Sequence, residues 1–204
     1  MQDSKLSQLA RMIEEWPGLV SGPARELVDD SLVLLDHLRD ARRLVDVGSG
    51  GGLPGLALKL ARPHLEVTLV EADQDKAAFL VQASARLGVD VEVVARRAED
   101  VGHDDRYREV FDLAVARALA PMRTLVELCL PLVRVGGRLL AQKTDPAEIS
   151  DAGHAIEILG GRLEAITAAP SAARARGLVV VVAKVQHSPA AYPRRAGVPA
   201  RKPL

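Results

Sequence analysis

Apolar side chains in the first forty residues recur at helical spacing. Residues 3–15 and 23–39 fit amphipathic helices, because their leucines return every three or four positions. Gly22 and Pro23 separate the two segments, and proline suits the first turn of a helix. We therefore expect a helical cap over residues 1–40.

After this segment the pattern changes to short apolar runs that alternate with amphipathic segments. Short runs of β-branched and aliphatic residues are typical of buried parallel strands. Their alternation with helices predicts βαβ units and a sheet covered by helices on both faces. The expected strands are, in order, RLVDV, LEVTLV, VEVVA, FDLAVARA, RLLAQK, GRLEAI and GLVVVVAKV. The sequence thus predicts an α/β protein with a seven-stranded, mostly parallel sheet.

Three details of this pattern can be tested directly. Gly136 and Gly137 are expected to form a turn before the strand RLLAQK, and one helix is expected near residues 146–159. The residues from His187 onward are rich in proline and basic side chains, which predicts an extended tail and not a packed element. The expected parts are a cap over 1–40, a Rossmann-like domain over 41–186 and a basic tail over 187–204.

The segment LVDVGSGGGLPG, residues 44–55, carries the clearest chemistry. Glycine occupies five of the eight positions from Gly48 to Gly55, a density that allows a ligand to approach the backbone closely. A P-loop would need a Gly-Lys-Ser/Thr ending, which the segment lacks. Two overlapping patterns remain: Gly50, Gly52 and Gly55 match a dinucleotide fingerprint, and Asp46, Gly48, Gly50 and Gly52 match the loop of adenosylmethionine-dependent methyltransferases.

The position at which the strand ends favours the second pattern. The apolar run stops at Val47, so Gly48 is the first glycine of the turn. Pro54 then suits the start of the next helix, and Gly55 suits a close contact between helix and strand. We therefore expect S-adenosylmethionine, with Glu71, at the end of the second strand, accepting hydrogen bonds from its ribose hydroxyls.

Composition narrows the class of protein further. The 27 basic and 27 acidic side chains cancel, so a nucleic acid would have to be met by a local patch. Aromatic residues make up 2% of the chain, too few for a sheet that stacks on RNA bases. Cys129 has no second cysteine with which to form a disulfide, and no apolar run approaches the roughly 20 residues of a membrane span. We expect a cytoplasmic protein without metal or membrane partner.

Several further motifs resemble one family. The segments DVGSGGGLPGLAL, VTLVEA, RRAED, ARALAP and LLAQK resemble, in this order, those of the RsmG (GidB) family, and VDDSLVLL and AYPRRAGVPARKPL extend the similarity to most of the chain from Val28. The resemblance implies a Rossmann-like class I methyltransferase that modifies N7 of a guanine in 16S ribosomal RNA. It also implies a cofactor pocket lined by Gly48, Leu53, Ala98, Glu99 and Arg117.

The candidate substrate-side residues are all basic. We expect Arg117 and Lys143, at the ends of the fourth and fifth strands, to hold the target base or a phosphate, and Arg194 and Arg195 to bind RNA phosphates. For Lys143, a simple solvated position is nearly as compatible with the sequence. Guanine N7 carries no proton, so we expect catalysis by positioning, without a general base. The zero net charge suggests a monomer, and we expect its partner to be 16S RNA or the small subunit.

One departure from the family pattern keeps alternatives open. The family usually carries an Asn-Leu-Thr segment and a histidine in its cap, whereas Leu27 stands at the histidine position here and the segment is missing. A cofactor-binding protein that interacts with the ribosome without activity is therefore one alternative. A methyltransferase for small molecules is the other.

Overall fold

A computed structural model describes residues 2–204, with side chains from Ser4 onward; Met1, the first residue of the expected cap, lies outside the described residues. The strands are β1 (Arg43–Val47), β2 (Glu66–Val70), β3 (Glu92–Val94), β4 (Phe111–Arg117), β5 (Val133–Lys143), β6 (Gly161–Ala168) and β7 (Leu178–Lys184). The helices are α1 (Gln2–Glu15), α2 (Ala24–Ser31), α3 (Gly55–Ala61), α4 (Gln74–Leu87), α5 (Ala98–Val101), α6 (Met122–Cys129), α7 (Pro146–Ser150), α8 (Gly153–Ile158) and α9 (Val198–Arg201).

The seven strands form one sheet in the order β3-β2-β1-β4-β5-β7-β6. Strands β1 to β5 pair in parallel, whereas β7 runs antiparallel to both β5 and β6. The expectation of a mostly parallel, seven-stranded sheet is therefore confirmed. The order of the strands reverses between β1 and β4, which is where an open α/β sheet forms its binding crevice.

Apolar residues cover both faces of this sheet. On β1, Leu44 belongs to one buried cluster and Val45 to the other, because successive side chains of a strand point to opposite faces. The first cluster takes side chains from α1, α3 and α4, and the second from α5, α6 and α8. Helices on both faces, as the sequence predicts, thus enclose a sheet that is buried on each side.

The helical cap packs on the first of these faces. The ring of Trp16 meets the ring of Phe79 of α4 edge-on, with their centroids 5.4 Å apart. The second expected helix, 23–39, is shorter than the pattern suggests, because α2 ends at Ser31 and a 3-10 helix follows over Leu32–His37. The cap and the sheet share one hydrophobic core, and the boundary at residue 40 remains a prediction.

Two local expectations were wrong. Gly136 and Gly137 do not form a turn before the strand but lie inside β5, where the pairing with β4 is irregular between Phe111 and Leu113. A Cβ on Gly137 would lie 2.7 Å from the carbonyl oxygen of Asp112, so a glycine allows the two backbones to approach. The single helix near 146–159 is instead divided into α7 and α8, and Gly153 at the division is a weak helix former.

The expectation of an unpacked tail was also wrong. Residues 188–204, which we call the strap, cross α5 and α6 and carry the short helix α9. Pro193 and Pro199 are buried, and Arg108 donates hydrogen bonds to three carbonyl oxygens of the strap, those of Ser188, Pro189 and Tyr192. Proline and basic residues suggested solvation, but prolines also restrict the backbone, which lowers the entropic cost of packing it.

Candidate active site

A cavity of about 620 Å³ opens at the carboxyl ends of β1, β2, β3 and β4. Its floor includes the glycine loop after β1, and its roof comes from residues 18–21 and from Leu27 and Asp30 of α2. A volume of this size is in the range of small-molecule sites. The cavity therefore lies at the strand-order reversal, where the sequence analysis places the cofactor.

The glycine loop reaches this cavity through backbone that requires glycine. Gly48 and Gly50 have positive φ angles of 72° and 52°, which residues with a Cβ rarely adopt. A Cβ on Gly48 would lie 2.5 Å from Cδ1 of Leu119, which also lines the cavity. Gly48, Gly50 and Leu53 all line the cavity, and their contact with a cofactor remains a prediction.

Asp46 and Gly52 lie behind the loop and are not among the cavity-lining residues. A Cβ on Gly52 would meet Cδ1 of Leu56 at 2.5 Å, and the fully buried Asp46 accepts a hydrogen bond from the backbone N–H of Gly55 at 2.8 Å. Burial raises the pKa of Asp46 to about 7. Both residues shape the loop, and direct contact with a cofactor remains a prediction for them.

Glu71 links the glycine loop to the end of β2. Its Oε2 accepts a hydrogen bond from the N–H of Gly50 at 2.8 Å, and its Oε1 accepts one from the N–H of Asp73 at 2.9 Å. The side chain lines the cavity and is nearly buried. Because each carboxylate oxygen has two acceptor sites, this fixed carboxylate retains the capacity to accept two vicinal hydroxyls.

Ala98 and Glu99 form the wall beyond β3. Both line the cavity from the start of α5. Glu99 Oε1 accepts hydrogen bonds from Nη2 of Arg97 at 3.0 Å and from the N–H of Gly197 at 2.9 Å. Burial acts to raise the pKa of Glu99, but the hydrogen bonds from Arg97 and Gly197 outweigh it and lower the pKa, which keeps the carboxylate charged.

Arg117 closes the opposite side of the cavity at the end of β4. Its Nη1 donates a long hydrogen bond of 3.4 Å to the carbonyl oxygen of Leu27. Burial lowers the pKa of its guanidinium, whereas the carboxylates of Asp30 and Asp46 act in the opposite direction. A partly desolvated guanidinium with one long bond is available to an anionic or hydrogen-bond-accepting group of a ligand.

Sequence reasoning missed the roof of the cavity. Leu27, in the position of the family's histidine, lines the cavity beside Asp30 and Arg174. Asp30 is fully buried and pairs with Nε of Arg174 at 2.8 Å, which ties α2 to the segment between β6 and β7. The motif VDDSLVLL contained the signal for Asp30, but a lone arginine in an apparent loop gave none for Arg174.

The structure contradicts the two roles expected for Lys143. Its side chain is 8% exposed, and its Nζ donates hydrogen bonds to the carbonyl oxygen of Ala120 at 2.6 Å and to Oε2 of Glu148 at 2.9 Å. Lys143 is not among the residues that line the cavity. It is therefore neither solvated nor placed to contact the target base or an RNA phosphate, because its charge is already paired inside the protein.

Arg194 and Arg195 have different environments. Arg194 makes two side-chain hydrogen bonds to Glu127, a fully buried residue of α6, at 2.8 and 2.6 Å, so its guanidinium is committed to an internal pair. This contradicts its expected role as a phosphate contact. Arg195 is exposed beside Arg201, and its expected role in RNA binding remains a prediction.

Among residues 2–204, no helix is long and apolar enough to cross a membrane.

Comparison with known proteins agrees with this geometry. The model of the GidB family, described as rRNA small subunit methyltransferase G, matches residues 20–176. The protein named ribosomal RNA small subunit methyltransferase G in Moorella thermoacetica is 44% identical over 186 residues, which cover 88% of this chain and 78% of the relative. The protein of the same name in a Roseiflexus species is 42% identical and covers 100% of this chain and 94% of the relative.

A solved structure supports the fold independently. A mutant of MtNAS in complex with S-adenosylmethionine matches 90% of this chain and 73% of its own chain, with a TM-score of 0.61 and 22% sequence identity. Identity at this level bears on the fold alone. The arrangement of strands around the cavity is thus one that also occurs in a protein that binds S-adenosylmethionine.

Proposed function

Because this chain belongs to the family of rRNA small subunit methyltransferase G, we propose that it transfers a methyl group from S-adenosylmethionine to N7 of a guanine in 16S ribosomal RNA. The protein is an S-adenosylmethionine-dependent methyltransferase of class I fold. We assign this activity to the cavity in which the glycine loop and Glu71 lie opposite Arg117, and this cavity is the observation that supports the proposal. We place the activity in the cytoplasm, with the protein acting as a monomer.

The residues of the cavity fit the cofactor. Gly48 and Gly50 let the backbone approach the ligand, and Glu71 offers a fixed carboxylate to the ribose hydroxyls. Leu53 and Ala98 supply apolar surface for the adenine ring. When bound, S-adenosylmethionine supplies an electrophilic methyl group on a sulfonium.

The chain's own contribution is to position and to desolvate. Among the described residues, the cavity lining includes no histidine, cysteine or tyrosine. Its carboxylates, those of Asp30, Glu71 and Glu99, each accept hydrogen bonds from the protein itself. This suits an N7 nucleophile, because its in-plane lone pair has no proton for a general base to remove. Holding the two reactants in line can contribute up to about 7–11 kcal/mol toward lowering the barrier.

Arg117 is the side chain that we assign to the ligands of this cavity. A bidentate arginine on O6 and N7 is a common way to bind guanine, but it would occupy the nucleophile. We therefore assign the guanidinium to guanine O6, to an RNA phosphate or to the carboxylate of the cofactor. In each case N7 stays free to react.

Methyl transfer from labelled S-adenosylmethionine tests this function. The substrates are naked 16S RNA and small subunits from a strain that lacks this gene, and we expect label in a guanine at N7. Arg117→Ala should lose at least about tenfold in kcat/KM, whereas Arg86→Ala, an exposed arginine of α4, should not change it.

Other outcomes would assign the protein to the alternatives. Tight binding of the cofactor and of small subunits without any label in RNA would indicate an inactive ribosome-interaction protein. Label that appears in small molecules of an extract, and in no RNA, would indicate a small-molecule methyltransferase.

A further inference from the structure

Glu99 belongs to two cavities at once. Besides lining the cofactor cavity, it lines a second cavity of about 550 Å³ between α5 and the strap, together with Arg195 and Arg201. Its side chain is nearly buried, and one of its oxygens, Oε1, takes a hydrogen bond from the strap. The wall of the cofactor cavity and the strap therefore share one carboxylate.

The strap contacts α5 at both of its ends. At the start of the helix, the N–H of Gly197 donates to Glu99; at its end, a Cβ on Gly102 would lie 2.7 Å from the ring of Pro193. His103, directly after Gly102, is 2.6 Å from the carbonyl oxygen of Pro193 through its Nε2. A helix of four residues cannot hold itself in place in water, so neighbouring segments decide its position.

The strap is itself fixed to the body of the protein away from the cavity. Arg194 binds Glu127 of α6 through its backbone N–H and its guanidinium, and Glu127 is fully buried. The hydroxyl of Thr124, also in α6, donates to the carbonyl oxygen of Pro199. Gly197 lies between these two attachments, so they determine where its N–H points.

We infer that Arg194 and Gly197 are positioning residues for the cofactor: the strap holds Ala98 and Glu99 in the geometry that binds S-adenosylmethionine. This inference rests on the proposed function only for the identity of the ligand. It gives the strap a role at the cofactor instead of one limited to RNA phosphates, because the guanidinium of Arg194 is used inside the protein.

The inference means that attachment of the strap and binding of the cofactor are coupled. Because this coupling is an equilibrium property, it can be measured in both directions. Isothermal titration with S-adenosylmethionine should show Arg194→Ala binding at least about fivefold more weakly than the unchanged protein. Arg194→Lys should recover part of the loss, since lysine keeps the charge but not the paired hydrogen bonds. Lys202→Ala, an exposed residue of the same strap, should bind as the unchanged protein does.

Hydrogen exchange in the unchanged protein gives the reverse measurement and needs no substitution. Saturating S-adenosylmethionine should slow exchange of the Gly197 amide, and this protection should disappear in Arg194→Ala. In steady-state assays the substitution should raise KM for the cofactor by a larger factor than KM for RNA, a difference that a general loss of stability would not produce.

Two results would overturn the inference. The first is an unchanged affinity for the cofactor in Arg194→Ala, when hydrogen exchange shows that the strap has been released in this variant. The second is a Gly197 amide that exchanges at the same rate with and without the cofactor. A protein that shows the coupling but methylates no RNA would refute the proposed function alone. A protein that methylates RNA without the coupling would refute this inference alone.

Discussion

The carboxylate of Asp46 in β1 accepts a hydrogen bond from the backbone N–H of Gly55, the first residue of α3, at 2.8 Å. This contact spans the glycine loop, since Asp46 lies in the strand before the loop and Gly55 begins the helix after it. The second oxygen, Oδ1, is buried and has no hydrogen-bond partner among the residues that the structure describes. The glycine loop is therefore fixed, on the side away from the cavity, by a carboxyl group whose negative charge has few hydrogen-bond donors around it.

Asp46 should make stability depend on pH near neutrality. Burial raises its pKa from 3.8 to about 7, so between these values the folded protein binds a proton that the unfolded chain does not. The contribution of Asp46 to the free energy of unfolding therefore falls as pH rises from about 4 to 7, by up to about 1.4 kcal/mol per pH unit. Denaturant unfolding at pH 5, 6, 7 and 8 should show a flatter profile for Asp46→Asn.

The matched control is Asp75→Asn, at an exposed position of α4, which should keep the profile of the unchanged protein. Parallel profiles for Asp46→Asn and the unchanged protein between pH 5 and 7 would contradict the assignment.

Gly55→Ala should destabilise the protein by about 1–3 kcal/mol. The added Cβ would lie 2.6 Å from Cδ2 of Leu69 and 2.8 Å from Cβ of Asp46, both in buried strands. Gly153→Ala is the control, because nothing lies within 4 Å of the added atom and alanine favours the helix. Thermal unfolding of both variants checks the difference, and equal melting temperatures would refute close packing at Gly55.

Much of this architecture follows from the sequence because its causes are local. The alternation of apolar runs gave the seven strands, and the end of the run at Val47 placed the glycine loop. What could not be predicted depends on contacts between distant residues. The expected RNA contacts of Lys143 and Arg194 failed because their partners, Glu148 and Glu127, are set by the packing of α6 and α7, which periodicity does not reveal.

Lys143→Ala should lower the free energy of unfolding by more than it lowers the free energy of RNA binding. The variant leaves Glu148 and the carbonyl oxygen of Ala120 without the ammonium, at a cost of about 1–3 kcal/mol. A double-mutant cycle with Glu148→Gln should show a coupling between the two side chains. A large loss of RNA affinity with unchanged stability and no coupling would instead restore the phosphate contact expected from the sequence.

The pair of Asp30 and Arg174 should be the costliest to break among the ion pairs at the cavity. Asp30 is fully buried, and Arg174→Ala would remove its ion-pair partner and leave it hydrogen bonds from Ser171 and Gln142, at a cost of up to about 3–5 kcal/mol. The double variant Asp30→Ala/Arg174→Ala should lose less than the sum of the single losses. Urea unfolding of the three variants measures this, and strict additivity would show that the two groups act independently.

The position of the strap in the chain determines when its contacts can form during synthesis. Synthesis proceeds from the N-terminus, so every strand of the sheet leaves the ribosome before residues 188–204 do. The floor of the cavity can thus form while the contact between Gly197 and Glu99 does not yet exist. On the coupling inferred above, a nascent chain acquires full affinity for its cofactor only after this late segment has been released.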